Sequence, residues 1–272
     1  MADAPPDLEA VTQVQRQIWS QGDFAKIGIP AQIVAEELCE AVDVIPGRRL
    51  LDVACGAGNG AIAARSRNVD AVGLDYVPAL LERARERAAA EDFQIDFVEG
   101  DAQALPFEDG SFDYVISTFG AMFAPNQEKT ASELLRVCRS GGKIGMANWP
   151  PRGVVGGGMF KVATEHAPPP PGVKPPVLWG TEERLRELFG GGISQLTVTP
   201  RQWNWRYLSA EHWLQFFKQY FGPIITAFER VGENGAAALE NDLLEVIRDG
   251  NRAGDAALVA PAEYVEVVAI RA

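Results

Sequence analysis

The 272-residue chain is 47% apolar and 23% charged, which predicts an ordered domain with a large core, and its formal net charge of −12 disfavours nucleic acid as a partner. No apolar stretch reaches the roughly 20 residues that a membrane-spanning helix needs, and Met1 to Ala10 lack the pattern of a secretory signal. Because Cys39, Cys55 and Cys138 have neither disulfide nor zinc-type spacing, we expect a cytoplasmic protein without a metal site.

The chain begins with predicted helices and continues with alternating strands and helices. Helical periodicity over residues 8–43, interrupted at Gly22-Asp23 and near Gly28 to Pro30, predicts two helices. The predicted strands that follow are Leu50–Ala54, Ala71–Leu74, Ile95–Val98, Phe112–Ser117 and Lys143–Ala147. Between them, helices are predicted most clearly at Pro78–Ala90 and Gln127–Arg139, the second of which should end at Gly141-Gly142. This alternation is typical of parallel βαβ units with helices on both faces of the sheet.

The composition changes after Pro150. Gly156-Gly157-Gly158 and the proline-rich run Ala167–Gly172 predict loop or lid rather than regular helix or central strand. The later predicted elements are helices at Thr181–Phe189, Ala210–Phe221 and Gly235–Arg248 and strands at Ile193–Tyr207 and Glu263–Ile270. We therefore predict a doubly wound, Rossmann-like α/β sheet that is mostly parallel with an antiparallel last strand. Its predicted parts are N-terminal helices forming a lid (1–45), a Rossmann-like core (46–150), and further lid elements with the last strands of the same sheet (151–272).

A glycine-rich loop follows the first predicted strand. Cys55-Gly56-Ala57-Gly58-Asn59-Gly60 leads into an alanine-rich helix, and glycine lets the backbone approach a ligand closely near the free N–H groups of the helix start. A tight turn without any ligand has the same pattern. Asp75 ends the next strand, 19 positions after Gly56, where a carboxylate can accept hydrogen bonds from both ribose hydroxyls of an adenosine. The alternative role for Asp75 is to cap the helix that begins at Pro78.

A second polar segment, Gly100-Asp101-Ala102-Gln103, follows the third predicted strand. Asp101 is placed to accept the exocyclic amine of adenine, with the backbone of Ala102 along the base edge. The alternative is a solvated loop aspartate. Because the candidates all follow parallel strands, they predict one binding site at one edge of the sheet.

Residues 50–150 resemble the class I S-adenosylmethionine-dependent methyltransferase domain, in the branch that includes ubiquinone and menaquinone C-methyltransferases and many small-molecule methyltransferases. The matching segments are Leu51–Gly58, Val72–Asp75, Gly100–Ala102 with Leu105–Phe107, Ser111–Asp113, Leu135–Val137 and Gly141-Gly142. They lie within a little over a third of the chain. The flanking regions resemble only the more variable parts of the family.

The resemblance implies that S-adenosylmethionine is the cofactor and that the core binds it. Asp75 would hold the ribose, and Ser117, at the end of the fourth strand, would face the sulfonium. The other implied cofactor positions are Gly56 and Gly58 at the methionine and ribose portion, Asp101 and Ala102 at the adenine, and Asp52, Ala54, Tyr76 and Gln103 without a specified role. The family often has glycine at the position of Ala54, and it usually carries a serine and a methionine where this chain has Tyr76-Val77-Pro78-Ala79-Leu80.

Three competing motifs fit less well. A dinucleotide-binding fingerprint requires glycines in a two-then-three spacing, whereas Gly56, Gly58 and Gly60 are evenly spaced. A P-loop is excluded because no Gly-Lys-Ser/Thr follows the loop. Asn148-Trp149-Pro150-Pro151 is similar to the Asn-Pro-Pro motif of nucleic-acid amino-methyltransferases, but that motif should follow the fourth strand, where this chain has Ser117-Thr118-Phe119-Gly120.

The candidates for the acceptor side come from outside the core motifs. His166 and His212 are the possible catalytic bases, and for each of them a structural or surface role is the alternative. Trp203 and Trp205 alternate with polar residues and share one face of a predicted strand, so they form either an aromatic acceptor pocket or ordinary core. The remaining substrate-side candidates are Trp19, Phe24 and Trp149.

Together these features predict methyl transfer from S-adenosylmethionine to oxygen or carbon of a small, partly apolar molecule. Methyl transfer from a sulfonium needs no obligatory base, because positioning the acceptor can supply most of the catalysis. For the same reason the alternative remains open that the protein binds the cofactor as a regulator or scaffold without catalysis.

Overall fold

Seven strands within residues 6–272, the range that the computed structural model describes, form a single sheet. The first five residues of the predicted lid segment 1–45 lie outside this range. The strands are β1 (Arg49–Val53), β2 (Asp70–Asp75), β3 (Asp96–Glu99), β4 (Phe112–Thr118), β5 (Cys138–Asn148), β6 (Ile193–Tyr207) and β7 (Leu258–Arg271). Their order across the sheet is β3-β2-β1-β4-β5-β7-β6.

The sheet topology confirms the prediction from sequence. The strands β1 to β5 are parallel, whereas β7 lies between β5 and β6 and is antiparallel to both. Successive strands are added on one side of β1 up to β3, and the chain then returns to the other side with β4. The carboxyl ends of β1 and β4 therefore flank a topological switch point, which is where ligands bind in open α/β sheets.

Helices cover both faces of this sheet. They are α1 (Leu8–Trp19), α2 (Phe24–Gly28), α3 (Gln32–Ala41), α4 (Asn59–Ser66), α5 (Pro78–Ala90), α6 (Gln127–Val137), α7 (Phe160–His166), α8 (Glu182–Phe189), α9 (Ala210–Tyr220) and α10 (Gly222–Asp249). On one face, Leu38 of α3, Ala61 of α4 and Leu81 of α5 are buried against strand residues such as Ile116. On the other face, α6, α8, α9 and α10 contribute to a second and larger apolar cluster. No α-helix in the described range is both long enough and apolar enough to cross a lipid bilayer.

The N-terminal region contains three α-helices rather than the two predicted. The segment between the two predicted interruptions, which we expected to be irregular, forms the short helix α2 and one turn of 3₁₀-helix at Ile29–Ala31. This arrangement places Phe24, the first residue of α2, beside the glycine loop. The local sequence did not reveal this helix because tertiary contacts, rather than periodicity, stabilise an element of five residues.

Two glycine-rich segments adopt secondary structure that differs from the prediction. Helix α6 ends at Val137, and Gly141-Gly142 lie within β5 instead of ending the helix. Gly153–Met159 forms a π-helical segment that continues into α7, although the sequence predicted loop. Helix α10 also begins earlier than predicted, at Gly222, and it is kinked at Gly232, where φ is 61° and ψ is −171°. In Gly153–Met159 and in α10, tertiary contacts outweigh the low intrinsic helix propensity of glycine.

Candidate active site

A deep cleft opens at the carboxyl ends of β1, β2 and β4, where the strand order reverses. The space between its protein atoms, including the open mouth, is about 1210 Å³. A concave site at a topological switch point is where open α/β sheets bind their ligands. Its lining is polar at the ends of β1 and β2 and predominantly aromatic on the side of α1, α2, β6 and α9.

Asp52 of β1 is the most deeply buried acidic residue of the cleft, with 1% of its surface exposed. Its Oδ2 accepts the backbone N–H of Ala61 at 2.9 Å, whereas Oδ1 is buried and has no hydrogen-bond partner among the described residues. Burial raises the pKa of Asp52 to about 7, against the opposing effect of the Ala61 N–H. Gly60 is required beside it, because a Cβ there would lie 2.6 Å from Oδ2. Asp52 Oδ1 therefore has the chemistry of a buried acceptor for a cationic or N–H group of a ligand.

Asp75, at the end of β2, also lines the cleft, and its carboxylate bonds two backbone segments, one after β1 and one after β2. Its Oδ2 accepts the N–H of Gly56 and its Oδ1 accepts the N–H of Val77, each at 2.9 Å. Burial raises the pKa of Asp75 to about 6, although these backbone donors oppose the shift. A carboxylate oxygen has two acceptor sites, so one remains on each oxygen for a ligand hydroxyl. The helix-cap role considered from sequence is not observed, because Val77 is the N-cap residue of α5 and no side chain of the described residues caps it. A ribose contact is compatible with the two backbone bonds.

Of the six residues of the glycine loop, all except Gly58 line the cleft. Gly56 lines the cleft with φ +54°, and an added Cβ would lie 3.6 Å from the ring of Phe24. Gly58, which was also predicted to line the cofactor, instead faces the protein interior. Its φ is +82°, and a Cβ there would lie 3.1 Å from Ala84 and 3.2 Å from Phe97. Gly58 is thus required by the turn into α4 and by packing rather than by exposure to a ligand.

The prediction that Ser117 faces the sulfonium is not supported by its position. Its hydroxyl donates to the carbonyl of Val53 at 2.8 Å and accepts the N–H of Ala121 at 2.9 Å, and the residue is buried away from the cleft lining. Side chains alternate along a strand, so the next residue, Thr118, lines the cleft instead. Thr118 Oγ1 is buried, and no hydrogen-bond partner for it exists in the part of the chain that the structure covers.

The polar segment after β3 is also only partly exposed to the cleft. Ala102 lines it, whereas Asp101 and Gln103 do not. Asp101 Oδ1 accepts the backbone N–H of Gln103 at 2.8 Å, and the Gln103 amide donates to Thr12 of α1 at 3.1 Å. These bonds tie the N-terminal helix to the core, and the cofactor role of Asp101 and Gln103 stays a prediction. Tyr76, another predicted position, does line the cleft, and so does Ala54, a non-glycine residue with φ +53°.

The two histidines lie outside the cleft. His166 Nε2 is 2.6 Å from Asp242 Oδ2, which links α7 to α10. His212 Nδ1 accepts the N–H of Leu208 at 3.1 Å near the start of α9, and its side chain is exposed. Neither residue lines the cleft, so their candidacy as catalytic bases is withdrawn in favour of structural roles.

All five predicted aromatic residues of the acceptor side line the cleft: Trp19, Phe24, Trp149, Trp203 and Trp205. The rings of Trp19 and Phe24 are 5.4 Å apart, edge to face. Trp203 lies 5.3 Å from Trp149, and Trp205 packs against helix α9. The N-terminal helices and the last hairpin thus contribute walls to one chamber.

Sequence reasoning missed the turn that follows β4. Phe119 has φ +62°, and its ring stacks on Trp149 with centroids 4.0 Å apart and planes 10° from parallel. A Cβ on Gly120 would lie 2.3 Å from the carbonyl oxygen of Ala54, so β1 and β4 approach closely where they end. The signal available was the alternation in β4, which assigns Ser117 and Thr118 to opposite faces. The sharp turn itself has no recognisable motif.

Comparison with known proteins gives a consistent result. Residues 50–142 match a family model described as a methyltransferase domain. The protein Mb1438c of Mycobacterium bovis, of uncharacterised function, is 35% identical over 254 residues, which cover 89% of this chain and 90% of the relative. The demethylmenaquinone methyltransferase of Deinococcus radiodurans is 38% identical over 125 residues, which cover 45% of this chain and 52% of that enzyme.

A solved structure extends the similarity to the fold. The phosphoethanolamine N-methyltransferase 2 of Haemonchus contortus, in complex with S-adenosylmethionine, aligns with a TM-score of 0.54 at 20% identity, covering 87% of this chain and 52% of that one. The shared fold, the matched domain and the motifs at the strand ends agree. The chain therefore belongs to the class I S-adenosylmethionine-dependent methyltransferase family.

Proposed function

We propose that this protein transfers a methyl group from S-adenosylmethionine to oxygen or carbon of a small, partly apolar acceptor. The observation that carries the proposal is the composition of the cleft. At its polar end lie the carboxylate of Asp75 and the buried Oδ1 of Asp52, which has no partner among residues 6–272. The rest of the lining is mostly aromatic and aliphatic. A cofactor with an ammonium and ribose hydroxyls fits the first part, and an apolar acceptor fits the second.

At the polar end, each carboxylate has a separate task. Asp75 would accept hydrogen bonds from the ribose hydroxyls through the acceptor sites that Gly56 and Val77 leave free. Asp52 Oδ1 would accept the α-ammonium, which removes the cost of an unpaired buried acceptor. Tyr76 and Ala102, which line the cleft after β2 and β3, would flank the adenine.

At the aromatic end, the chain's contribution is position and exclusion of water. When bound, S-adenosylmethionine supplies an electrophilic methyl group on a sulfur that leaves as a neutral thioether. Phe119 and Trp149 stack on each other, so they form a fixed wall rather than a mobile one. Holding the acceptor at near-attack distance in such a chamber can supply most of the catalysis. Consistent with this, no lysine, arginine or histidine occurs among the described residues that line the cleft.

Isothermal titration calorimetry with S-adenosylmethionine and S-adenosylhomocysteine tests the proposal. We expect both to bind, and we expect Asp75→Ala to weaken binding by about 1.5–3 kcal/mol, the range for hydrogen bonds to charged groups. The matched control is Asp70→Ala, because Asp70 begins the same strand at its opposite end and its side chain is 64% exposed. Thermal melting of both variants separates loss of contact from loss of fold.

Turnover is tested separately, by measuring S-adenosylhomocysteine formation with a panel of oxygen and carbon acceptors. Product formation that depends on an acceptor would support catalysis. Folded protein that binds neither cofactor form would contradict the whole proposal. Tight cofactor binding without transfer to any member of a broad panel would favour a regulatory or scaffold role instead.

A further inference from the structure

Two residues that line the cleft carry buried polar atoms without a hydrogen-bond partner among residues 6–272. Trp203 lines the cleft, and its indole N–H is buried without an acceptor among residues 6–272. Thr118 lines the cleft from β4, and its hydroxyl is equally without a partner in that range. A buried donor that gives up water without gaining a partner costs on the order of 1–3 kcal/mol, so such atoms usually have a partner in the functional state.

The orientation of Trp203 is fixed by its surroundings. Its position in β6 pairs with Ala262 of β7, and its ring packs 5.5 Å from Phe119, 5.3 Å from Trp149 and 5.7 Å from Tyr264. Tyr264 is itself anchored, because its hydroxyl donates to Glu37 at 2.7 Å. A donor held by three rings on a paired strand cannot easily turn away to another partner, so it is preorganised for one ligand atom.

The sheet also fixes the position of Thr118. It pairs with Ala147 of β5, and Phe119, which follows it, donates its backbone N–H to the Ala147 carbonyl at 2.9 Å. The buried hydroxyl can donate one hydrogen bond and accept others. Together the two cleft-lining side chains carry buried polar atoms, from two different strands, that have no partner among residues 6–272.

The charges of the cleft restrict what these atoms can recognise. Within the described lining, Asp52 and Asp75 are the only acidic residues, and both lie at the cofactor end. The aromatic end thus offers no cation for a phosphate or carboxylate and no acid for an ammonium. Burying an unpaired charge there would be far more costly than burying a neutral hydrogen-bonding group.

We propose that Trp203 and Thr118 are specificity-determining hydrogen-bonding residues that select an uncharged aromatic acceptor carrying an oxygen with free lone pairs. This inference rests on the proposed function for the identity of the reaction, but it concerns recognition by this chain's own side chains. Trp203 donates to the oxygen, the stacked rings hold the aromatic plane, and Thr118 Oγ1 accepts the hydrogen when that oxygen belongs to a hydroxyl.

Two other buried indoles help to separate this role from ordinary packing. Trp179 and Trp213 also lack acceptors for their N–H groups within the described range, but neither lines the cleft. A ligand in the cleft therefore has no direct route to their nitrogens. Trp179 is fully buried and packs against Phe189, which makes Trp179→Phe a matched control for Trp203→Phe.

The test is a titration of four bicyclic probes of nearly equal size into the protein saturated with S-adenosylhomocysteine, and into the protein alone. The probes are naphthalene, 2-naphthol, 2-naphthoate and 2-naphthylmethylammonium. We expect 2-naphthol to bind about tenfold more tightly than naphthalene, the ratio that corresponds to one well-formed hydrogen bond with a buried donor, and both charged probes to bind more weakly than 2-naphthol.

The variants assign that preference to individual side chains. Trp203→Phe and Thr118→Val should each reduce the ratio between 2-naphthol and naphthalene, and the double variant should abolish it. Trp179→Phe should leave the ratio unchanged, and thermal melting shows whether each variant is folded. Because the readout is a ratio of two ligands on the same protein, a general loss of packing does not imitate the expected result.

Several outcomes would overturn the inference. They are equal affinity of the native protein for naphthalene and 2-naphthol, tighter binding of either charged probe, failure of all four to bind, and a ratio that survives the double variant. The proposed function fails in a different way, through the absence of cofactor binding. Protein that binds no S-adenosylhomocysteine but prefers 2-naphthol would contradict the proposed function and support this recognition. Protein that binds S-adenosylhomocysteine but does not prefer 2-naphthol would support the proposed function and contradict this recognition.

Discussion

Replacement of Asp52 by asparagine tests the electrostatics at the polar end of the cleft. The substitution preserves size, and the amide oxygen can still accept the Ala61 N–H that now reaches Oδ2 at 2.9 Å. The amide nitrogen then occupies the position of Oδ1, so a donor replaces the acceptor that we assign to the cofactor ammonium. We expect loss of a charge-assisted hydrogen bond, about 1.5–3 kcal/mol, which corresponds to a roughly ten- to 150-fold weaker affinity.

The pKa of Asp52 adds a second observable. Because burial raises this pKa to about 7, the carboxyl is about nine-tenths protonated at pH 6. An ammonium placed at Oδ1 favours the ionised form, so cofactor binding at pH 6 should release on the order of 0.9 proton from this group. Asp52→Asn should lower the total release by that amount, while any contribution from Asp75 remains.

Calorimetric titration of S-adenosylhomocysteine at pH 6 in buffers with different ionisation enthalpies measures the released protons directly. Titration at pH 8, where Asp52 is ionised, measures the affinity. Asp113→Asn is the control, because Asp113 lies at the opposite end of β4 and bonds the N–H of Arg49 and the guanidinium of Arg139. Unchanged affinity and unchanged proton release in Asp52→Asn would refute the assignment of Oδ1 to the cofactor.

Two further predictions follow from the same carboxyls and from the corrected position of Ser117. The pKa values of Asp52 and Asp75 rise in the folded protein from 3.8 to about 7 and about 6, so the native state retains protons that the unfolded chain has lost. Their contribution to the free energy of unfolding is therefore greatest below about pH 4 and is lost as the pH rises to about 7. Urea denaturation at several pH values measures this loss. A double Asn variant that shows the same loss of stability with pH would contradict the prediction. Ser117→Ala removes two internal hydrogen bonds and should lower the free energy of unfolding by about 1–3 kcal/mol while changing S-adenosylhomocysteine affinity less than about threefold. A large loss of affinity at unchanged stability would restore Ser117 to the cofactor site.

The sequence was sufficient for the sheet because the sheet depends on local patterns, whereas the cofactor positions stay predictions. Apolar runs bounded by polar residues define β1 to β5, and the predicted bounds of Pro78–Ala90 and Ile193–Tyr207 agree with the structure. Asp52 and Asp75 both line the cleft, as we expect for acidic residues near the carboxyl ends of β1 and β2. In these cases the position along the strand also determines the position in space.

The differences from the prediction arise where a distant segment determines what a side chain contacts. Gln103 fits a cofactor role by position, but its amide bonds Thr12, a residue 91 positions away that no local pattern connects to it. His166 is similarly paired with Asp242, 76 positions away. Polar residues beside a binding site are as often used to attach one segment to another as to contact a ligand, and the sequence does not distinguish these uses.

The distribution of charge within the cleft affects how tightly the cofactor binds before and after methyl transfer. Two buried carboxylates without a lysine or arginine beside them in the described lining are costly when ionised, as their raised pKa values indicate. A cofactor that carries both an ammonium and a sulfonium offsets this cost more fully than the thioether that remains after transfer. The same charges would repel an anionic acceptor, whereas the aromatic walls favour a neutral one. Under the proposed function, this arrangement would favour a charged donor with an uncharged acceptor, and it would favour release of the donor once its methyl group has been transferred.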